Sequence, residues 1–223
     1  MINIAIDGPS GAGKSTLAKA LAAKLGYIYV DTGALYRTIG LYVYNKNTDP
    51  KDENAVKELL NEINLELKFE NGHQSVYLNG ENVGDRIRTP QISLYASAVS
   101  ALPAVRAFLL DLQKDIAKKE NVIMDGRDIG TVILPYAQVK IFLIADNTKR
   151  AERRYKELLE KGEKVTLEKV LEEMNARDEN DRSRKTAPAV QAKDAVMLDN
   201  GDLDLDGTVE AALKIIRSKG IDV

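Results

Sequence analysis

The amino-acid sequence predicts an α/β fold in which helices cover both faces of a five-stranded parallel sheet. Five short apolar runs alternate along the chain with segments whose apolar residues recur at helical spacing. The first run leads directly into a glycine-rich loop and then a helix. Between residues 65 and 83 the apolar period changes to two, which predicts a small antiparallel insert.

The N-terminal strand, loop and helix are the most informative stretch. Isoleucines alternate through residues 2–6, and such a β-branched run favours a strand. Gly8–Ser15 then reads GPSGAGKS and matches the phosphate-binding loop pattern G-x-x-x-x-G-K-[ST]. Leucines recur at every fourth position in residues 17–25, so a helix begins here with its positive end toward an anion, and Gly26 ends it.

This loop has the chemistry of a nucleoside triphosphate site. Glycines allow positive φ, so successive backbone N–H groups can turn toward phosphate oxygens. Lys14, expected to be a solvent-facing loop residue, would reach the β- and γ-phosphates, and the Ser15 hydroxyl would bind Mg²⁺. A glycine-rich turn without a ligand is the alternative, and the flanking strand and helix argue against it. The predicted site comprises Gly8, Pro9, Ser10, Gly11, Ala12, Gly13, Lys14, Ser15 and Thr16.

Composition narrows the function classes. The chain has 223 residues, with 32 Lys plus Arg, 34 Asp plus Glu and a formal net charge of −2, which argues against a nucleic-acid-coating protein. It has no cysteine and one histidine, which excludes disulfides, thiolate catalysis and histidine-based triads or metal clusters. No apolar run reaches the length of a membrane span, about 18 residues, and Met1 leads straight into a strand. We therefore expect a cytoplasmic protein without a nucleic-acid or membrane partner.

The second predicted strand carries candidate ligands at its end. The run at residues 27–30 stops at Asp31, and a helical pattern follows for which Thr32 is the predicted N-cap. Arg37 on that helix is a candidate second anion binder, because parallel strands end at the same crevice. A surface arginine on an amphipathic helix is the alternative.

The run at residues 121–125 also ends in an acid. Asp125 suits Mg²⁺ or its water shell beside the phosphate loop, and Arg127 suits phosphate through its planar fork. An ordinary turn at the strand end is the alternative for Asp125. The chain closes with a predicted strand at residues 195–198 and a helix over residues 208–218.

The period-two segment predicts two hairpin turns, at Asn71–Gly72 and Asn79–Gly80, with His73 solvated at the tip of the first. Two helical patterns follow this segment. Ser97 and Arg106 flank the junction between them.

Two charged helices form the next part of the chain. The first is basic through residues 149–154, and the second begins near Thr166. Arg177, Asp181 and Arg184 follow i, i+4, i+7 spacing, so they are expected on one helical face. That face is either a solvated surface with an Arg–Asp salt bridge or the underside of a mobile flap over the triphosphate.

Together these motifs resemble those of the bacterial cytidylate kinases, which are P-loop nucleoside monophosphate kinases. The resemblance covers nearly the whole chain and is carried by Asp31–Arg37 (DTGALYR), Asp125–Gly130 (DGRDIG) and Ala176–Arg182 (ARDENDR), besides the loop and the insert. It implies one domain over residues 1–223 with a P-loop NTPase-type three-layer α/β/α fold. The implied parts are a core at 1–64, 98–147 and 186–223, a nucleoside monophosphate-binding insert at 65–97, and lid helices at 148–185.

The resemblance also implies the reaction, in which the γ-phosphoryl group of ATP passes to CMP or dCMP with Mg²⁺. We expect a monomer, but the sequence itself leaves the oligomeric state open. The implied catalytic residues are Lys14, Arg127 and Arg184, the Mg²⁺ ligands Ser15 and Asp125, and additional ATP contacts Arg153 and Arg154. For the acceptor it implies Arg37, Arg127 and Arg184 at the phosphate, Ser97, Arg106 and Asp128 at the cytosine, and Arg177 and Asp181 at the ribose, with Thr32 and Tyr36 beside them.

Two other functions remain compatible with the phosphate loop. One is a kinase for another small acceptor, such as adenylate, uridylate or shikimate; the insert and the combination of Arg106 with Asp128 argue against it. The other is a nucleotide-binding switch, but Asn45-Lys46 is not followed by the rest of the N-K-x-D motif that reads guanine. The preference between CMP and dCMP stays open.

Overall fold

Five parallel strands form the central sheet of the computed structural model, which describes residues 1–70, 73–160 and 162–222, with only the backbone of Glu70 and His73. Across the sheet, the strands follow the order β2–β6–β1–β7–β8, so the first strand lies at the centre. Their bounds are β1 Asn3–Asp7, β2 Ile28–Asp31, β6 Val122–Gly126, β7 Val139–Ile144 and β8 Val196–Asp199. This confirms the predicted parallel sheet.

Helices cover both faces of this sheet and also build the parts beside it. Their bounds are α1 Lys14–Leu25, α2 Thr32–Asn45, α3 Glu53–Leu60, α4 Pro90–Val99, α5 Pro103–Lys119, α6 Asn147–Glu160, α7 Leu167–Ser183 and α8 Leu205–Ser218. A short 3₁₀ helix covers Gly84–Arg88, and a single π-helical turn covers Ile129–Ile133.

Successive side chains of β1 point to opposite faces of the sheet, so this strand contributes to two layers of the core. Ile4 and Ile6 pack with α1 and α8 on one face, whereas Ala5 packs with α5 and the segment after β6 on the other. All three side chains are fully buried. Burial of an isoleucine contributes about 1.5–3 kcal/mol, so this central strand anchors both layers. The carboxyl end of β1 leads into the phosphate loop, which is thereby fixed at the middle of the sheet edge.

A three-stranded antiparallel sheet confirms the predicted insert. It consists of β3 Leu65–Glu70, β4 His73–Leu78 and β5 Glu81–Asn82. Asn79 and Gly80 connect the last two strands with φ of 50° and 84°, the positive values that a two-residue hairpin turn requires. Val76 and Val83 are buried with side chains of α2, α4 and α5. The predicted Asn71–Gly72 turn and the His73 side chain lie outside the described residues.

Gly26 ends α1 in the left-handed conformation as predicted, but two helix starts differ from the prediction. Asp31, one residue before the predicted Thr32, is the N-cap of α2, because its carboxylate accepts the Ala34 N–H at 2.9 Å. The last helix begins at Leu205 rather than Thr208, because Asp204 caps it by accepting the Gly207 N–H.

Helix α7 ends earlier than the spacing of its charges predicted. Its last residue is Ser183, and Arg184 follows in extended conformation with φ −61° and ψ 140°. Arg184 therefore reaches its neighbours from beyond the helix rather than from a shared helical face.

Among the described residues, no single helix is both long and apolar enough to span a membrane; only α4 and α5 taken together, across a 97° bend, meet those two criteria.

Gly40 marks the close approach of α2 and α4, the helices that carry Arg37 and Ser97. A Cβ at this position would lie 2.9 Å from Ala96 N, a backbone atom that cannot move aside cheaply. We expect Gly40→Ala to destabilise the protein by about 1–3 kcal/mol, although alanine is the better helix former. Chemical denaturation measures this loss. Gly207→Ala is the control, since its nearest neighbour is a side-chain oxygen; equal stability of the Gly40 variant and wild type would contradict the proposed crowding.

Candidate active site

The phosphate loop has the backbone conformation that its glycines predict. Gly8, Gly11 and Gly13 have φ of 148°, 69° and 88°, respectively. At Gly8 a Cβ would lie 2.1 Å from the Leu143 carbonyl oxygen, so no other residue fits there. Positive φ values of this kind are the ones that allow the N–H groups of a loop to turn toward an anion.

Lys14 is buried rather than solvent-facing, so that part of the sequence prediction was wrong. Only 6% of the residue is exposed, and its Nζ donates to the Pro9 carbonyl at 2.6 Å. Burial, followed by the nearby positive charge of Arg127, lowers the pKa of Lys14 to about 7. A buried ammonium group among other cations gains much from an anion, which is the environment expected at a phosphate site.

The two predicted Mg²⁺ ligands lie together. Ser15 Oγ donates to Asp125 Oδ2 at 2.8 Å, and Tyr29 OH donates to Asp125 Oδ1 at 2.9 Å. Thr32 Oγ1 donates to the Asp125 carbonyl at 2.7 Å, so its proton is already used in a hydrogen bond. Burial and then the carboxylate of Asp31 raise the pKa of Asp125.

A cluster of charged side chains lies beside the loop; we call it the acceptor cluster. Arg106 pairs with Asp128, and Arg184 Nη2 donates to the other Asp128 oxygen at 3.2 Å. Arg127 Nε donates to Asp181 Oδ2 at 2.8 Å. The complete cluster is Arg37, Arg106, Arg127, Asp128, Arg177, Asp181 and Arg184.

Positive charge exceeds negative charge in the acceptor cluster, which holds five arginines and two aspartates. Arg37 turns to Asp31 at 2.9 Å, yet its buried Nε has no hydrogen-bond partner among the described residues, and neither has Nε of Arg177. Burial and then Arg127 lower the pKa of Arg177 to about 10. Unsatisfied donors on buried cations are costly, and oxygen anions would satisfy them.

The alternative of a solvated face on α7 is excluded by burial. Asp181 is 4% exposed, and 5% of the Arg184 side chain is exposed. Burial alone would raise the pKa of Asp181, but Arg127, Arg177 and Arg184 outweigh it and the net shift is downward. Asp181 therefore stays ionised as a structural partner of the arginines.

Other predicted residues lie at the margin of the site. The Tyr36 ring lies beneath the Arg106 guanidinium at 5.5 Å, and burial raises the pKa of its hydroxyl to about 12. Ser97 Oγ accepts from Asn180 on α7 at 3.5 Å. Arg153 donates to the Asn200 carbonyl at 2.9 Å. The Asn200 side chain in turn donates to the Ala12 carbonyl, so Arg153 lies close to the phosphate loop.

Arg154 stands apart from the other predicted residues. It pairs with Glu157 at 3.0 Å on the surface of α6, so the structure does not bring it to the loop or to the acceptor cluster.

Sequence reasoning missed three buried charges around the site. Asp7, at the end of β1, accepts the N–H groups of Ile129 and Gly130 at 2.8 and 2.7 Å and so fixes the backbone beyond Asp128. Arg150 and Asp178 contact the phosphate loop from α6 and α7. A strand-end acid directly before the loop was the available signal for Asp7, and Asp178 lies within the ARDENDR segment that carries the resemblance; Arg150 had no signal beyond its charge.

Comparison with known protein families identifies the family of this chain. The family described as "Cytidylate kinase" matches residues 4–218. The chain belongs to the cytidylate kinase family. The family's cytidylate kinase of Caldicellulosiruptor bescii is 47% identical over 214 residues, covering 96% of this chain and 95% of that protein. The cytidylate kinase of Thermosipho melanesiensis is 47% identical over 216 residues, covering 97% of each chain.

Solved structures confirm the fold. An uncharacterised protein from Eubacterium ventriosum aligns with a TM-score of 0.52 at 18% identity, over 98% of this chain and 99% of its own. Shikimate kinase from Bacteroides thetaiotaomicron aligns with a TM-score of 0.50 at 14% identity, over 97% of this chain and 98% of its own. At these identities the likeness concerns the three-layer architecture.

Asp7 provides a pH test of the site's scaffold. Burial raises the pKa of Asp7 to about 6 from its ordinary value of 3.8, although the Gly130 and Ile129 N–H groups act against the shift. The folded state then holds a proton that the unfolded state releases, so Asp7 loses stability as pH rises through this window. Compared with Asp7→Asn, wild type should lose on the order of 3 kcal/mol between pH 4 and 7. Urea denaturation of both proteins across that range measures the difference; a constant difference would contradict the assigned shift.

Proposed function

We propose that this protein transfers the γ-phosphoryl group of ATP to the phosphate of CMP or dCMP. The observation that carries the proposal is the acceptor cluster, in which a buried Arg106–Asp128 pair adjoins arginines with unsatisfied donors beside the phosphate loop. Membership of the cytidylate kinase family supports it. Phosphoryl transfer depends on positioning and charge neutralisation rather than on a protein nucleophile, and this site offers both.

The phosphate loop would bind ATP, the donor of the phosphoryl group. Its N–H groups and Lys14 would hold the β- and γ-phosphates, and Lys14 would stabilise charge that develops on the transferring group. Ser15 and Asp125 supply adjacent oxygens, the ligand type that Mg²⁺ prefers, so the donor set fits that ion. When bound, Mg²⁺ would neutralise phosphate charge during transfer.

The acceptor phosphate would be held by Arg37, Arg127 and Arg184. An arginine has five N–H donors, so a side chain that is held by a carboxylate keeps others for a phosphate. Arg127 is held in this way by Asp181, and Arg184 by Asp128. The Oδ1 atom of Asp181, 3.7 Å from Arg184, would accept a ribose hydroxyl, with Arg177 beside it.

Base selection would rest on Asp128 and Arg106, with Ser97 nearby. Cytosine presents an exocyclic amine and the N3 acceptor, which an aspartate acceptor and an arginine donor match. Uracil presents a carbonyl and an N–H at these positions, so buried groups would face like partners and remain unsatisfied.

We further propose how the chain is divided for this reaction. The core comprises residues 1–64, 98–147 and 186–223, the insert 65–97 receives the acceptor, and the lid helices 148–185 close over both substrates. Closure would exclude water, the competing acceptor of the phosphoryl group. The protein would act as a cytoplasmic monomer.

An acceptor screen tests the proposed reaction. ADP release, measured with each ribo- and deoxyribonucleoside monophosphate and with shikimate, should give the highest kcat/KM with CMP or dCMP and a much lower value with UMP. Asp128→Ala should lower the CMP value most, since it removes the acceptor for the exocyclic amine. Equal efficiency with CMP and UMP would contradict the base assignment, preference for another acceptor would favour a different small-acceptor kinase, and slow hydrolysis without any acceptor would favour a switch.

Two variants on the lid separate charge stabilisation from acceptor binding. Arg184→Ala should lower kcat about a hundredfold or more, because it removes positive charge at the transferring group. Asp181→Ala should chiefly raise the KM for CMP, and it should also destabilise the protein because it leaves Arg127 buried without its carboxylate. Steady-state kinetics and thermal melts measure both effects.

Arg182→Ala is the matched control, since Arg182 is an exposed residue of the same helix. It should behave like wild type in both measurements. Wild-type kinetics in the Arg184 and Asp181 variants would instead show that these buried pairs serve folding alone.

A further inference from the structure

Helices α6 and α7 contact the phosphate loop at Ser10. The N–H group of Ser10 donates to Asp178 Oδ1 of α7 at 2.8 Å, and the carbonyl of Ser10 accepts from Arg150 Nη1 of α6. Arg150 also donates to Asp178 Oδ2 at 2.7 Å. One residue of the loop is thus held at both its donor and its acceptor by a single ion pair.

This ion pair is buried and its hydrogen bonds are satisfied. Arg150 is 3% exposed and Asp178 is 8% exposed. Arg150 Nε donates to the Ala145 carbonyl at 3.2 Å, and Nη2 donates to the Asn147 side chain. Because burying two charges is costly, such a pair is expected where it fixes a geometry rather than where it adds stability.

The next residue of the loop is fitted to the same two helices. A Cβ on Gly11 would lie 2.7 Å from Met174 Cε of α7 and 3.3 Å from the Arg150 carbonyl oxygen of α6. The loop therefore contacts α6 and α7 by shape as well as by charge, at the glycine that turns its N–H groups inward.

Helix α7 also reaches the acceptor cluster within the same two turns. Arg177 precedes Asp178 directly, and Asp181 follows one turn later with its bond to Arg127. The same helical segment consequently contacts the loop that would hold the donor and the arginines that would hold the acceptor.

We propose that Arg150 and Asp178 are positioning residues that hold the phosphate loop in its phosphate-binding conformation and join it to the acceptor side chains on α7. Neither residue touches a reacting atom. The effect on catalysis rests on the proposed function. The effect on the conformation of the phosphate loop does not depend on which reaction the protein catalyses.

Hydrogen–deuterium exchange of the nucleotide-free protein tests the positioning role directly. In Asp178→Ala the amides of residues 10–13 should exchange about tenfold faster or more, because the Ser10 N–H loses its acceptor and Arg150 loses its partner. The dissociation constant of a non-hydrolysable ATP analogue, measured by calorimetry with Mg²⁺, should rise about tenfold. Asp178→Asn should lie between, since its amide oxygen still accepts the Ser10 N–H but bears no charge.

Glu173→Ala is the control, since it removes an exposed carboxylate from the same helix. It should match wild type in exchange and in binding. Wild-type exchange of residues 10–13 in a folded Asp178→Ala protein would overturn the inference, as would faster exchange with unchanged affinity for the ATP analogue. If Asp178→Ala does not fold, Asp178→Asn and Arg150→Lys carry the same two measurements and the same criteria.

The failure of this inference is separable from that of the proposed function. The exchange measurement uses neither nucleotide nor acceptor, so it reports on the loop whatever reaction the protein catalyses. A wild-type protein that binds the analogue but does not phosphorylate CMP would overturn the proposed function and leave the exchange result standing.

Discussion

The structure depends on charged side chains that pack against one another at the carboxyl edge of its sheet. Lys14, Arg127 and Arg177 lie close enough that each lowers the affinity of a neighbour for its proton. Asp128 and Asp181 hold the arginines in place without neutralising the whole set. An oxygen anion placed among these neighbouring cations would relieve their mutual repulsion, so the arrangement favours the binding of phosphate.

Sheet order explains how residues far apart in sequence meet at this edge. The strands β1, β2 and β6 are neighbours, so the phosphate loop, Asp31 and Asp125 leave the sheet side by side. Parallel strands present all their carboxyl ends to one crevice, which is the usual ligand site of such folds. Hydrogen bonds then connect these strand ends to neighbouring segments. At the end of β1, for example, Asp7 accepts the N–H groups of Ile129 and Gly130.

The sequence predicted those parts whose cause is local. Gly8–Ser15 requires particular backbone angles, and Asn79–Gly80 requires a particular turn, so both could be placed without the rest of the chain. Burial of Lys14 and the charged underside of α7 could not be predicted in this way. Apolar periodicity detects a helix face that packs on carbon, whereas the buried face of α7 carries Arg177, Asp178 and Asp181 and has the composition of a solvated surface. Capping by Asp31 rather than Thr32 was a choice between adjacent residues with similar chemistry.

Arginine suits this arrangement in a way that lysine does not. Arg127 uses Nε for Asp181 and Nη1 for the Gly126 carbonyl, at 2.8 and 3.4 Å, and its planar fork still presents further N–H groups in a fixed direction. A carboxylate can therefore orient the side chain before substrate binds, and the same side chain can then hold an oxygen anion without first breaking that bond. An ammonium group has three donors on a flexible stem, so orientation and binding compete. Lys14 avoids this competition because its stem is buried and its amine is oriented by a backbone carbonyl of its own loop.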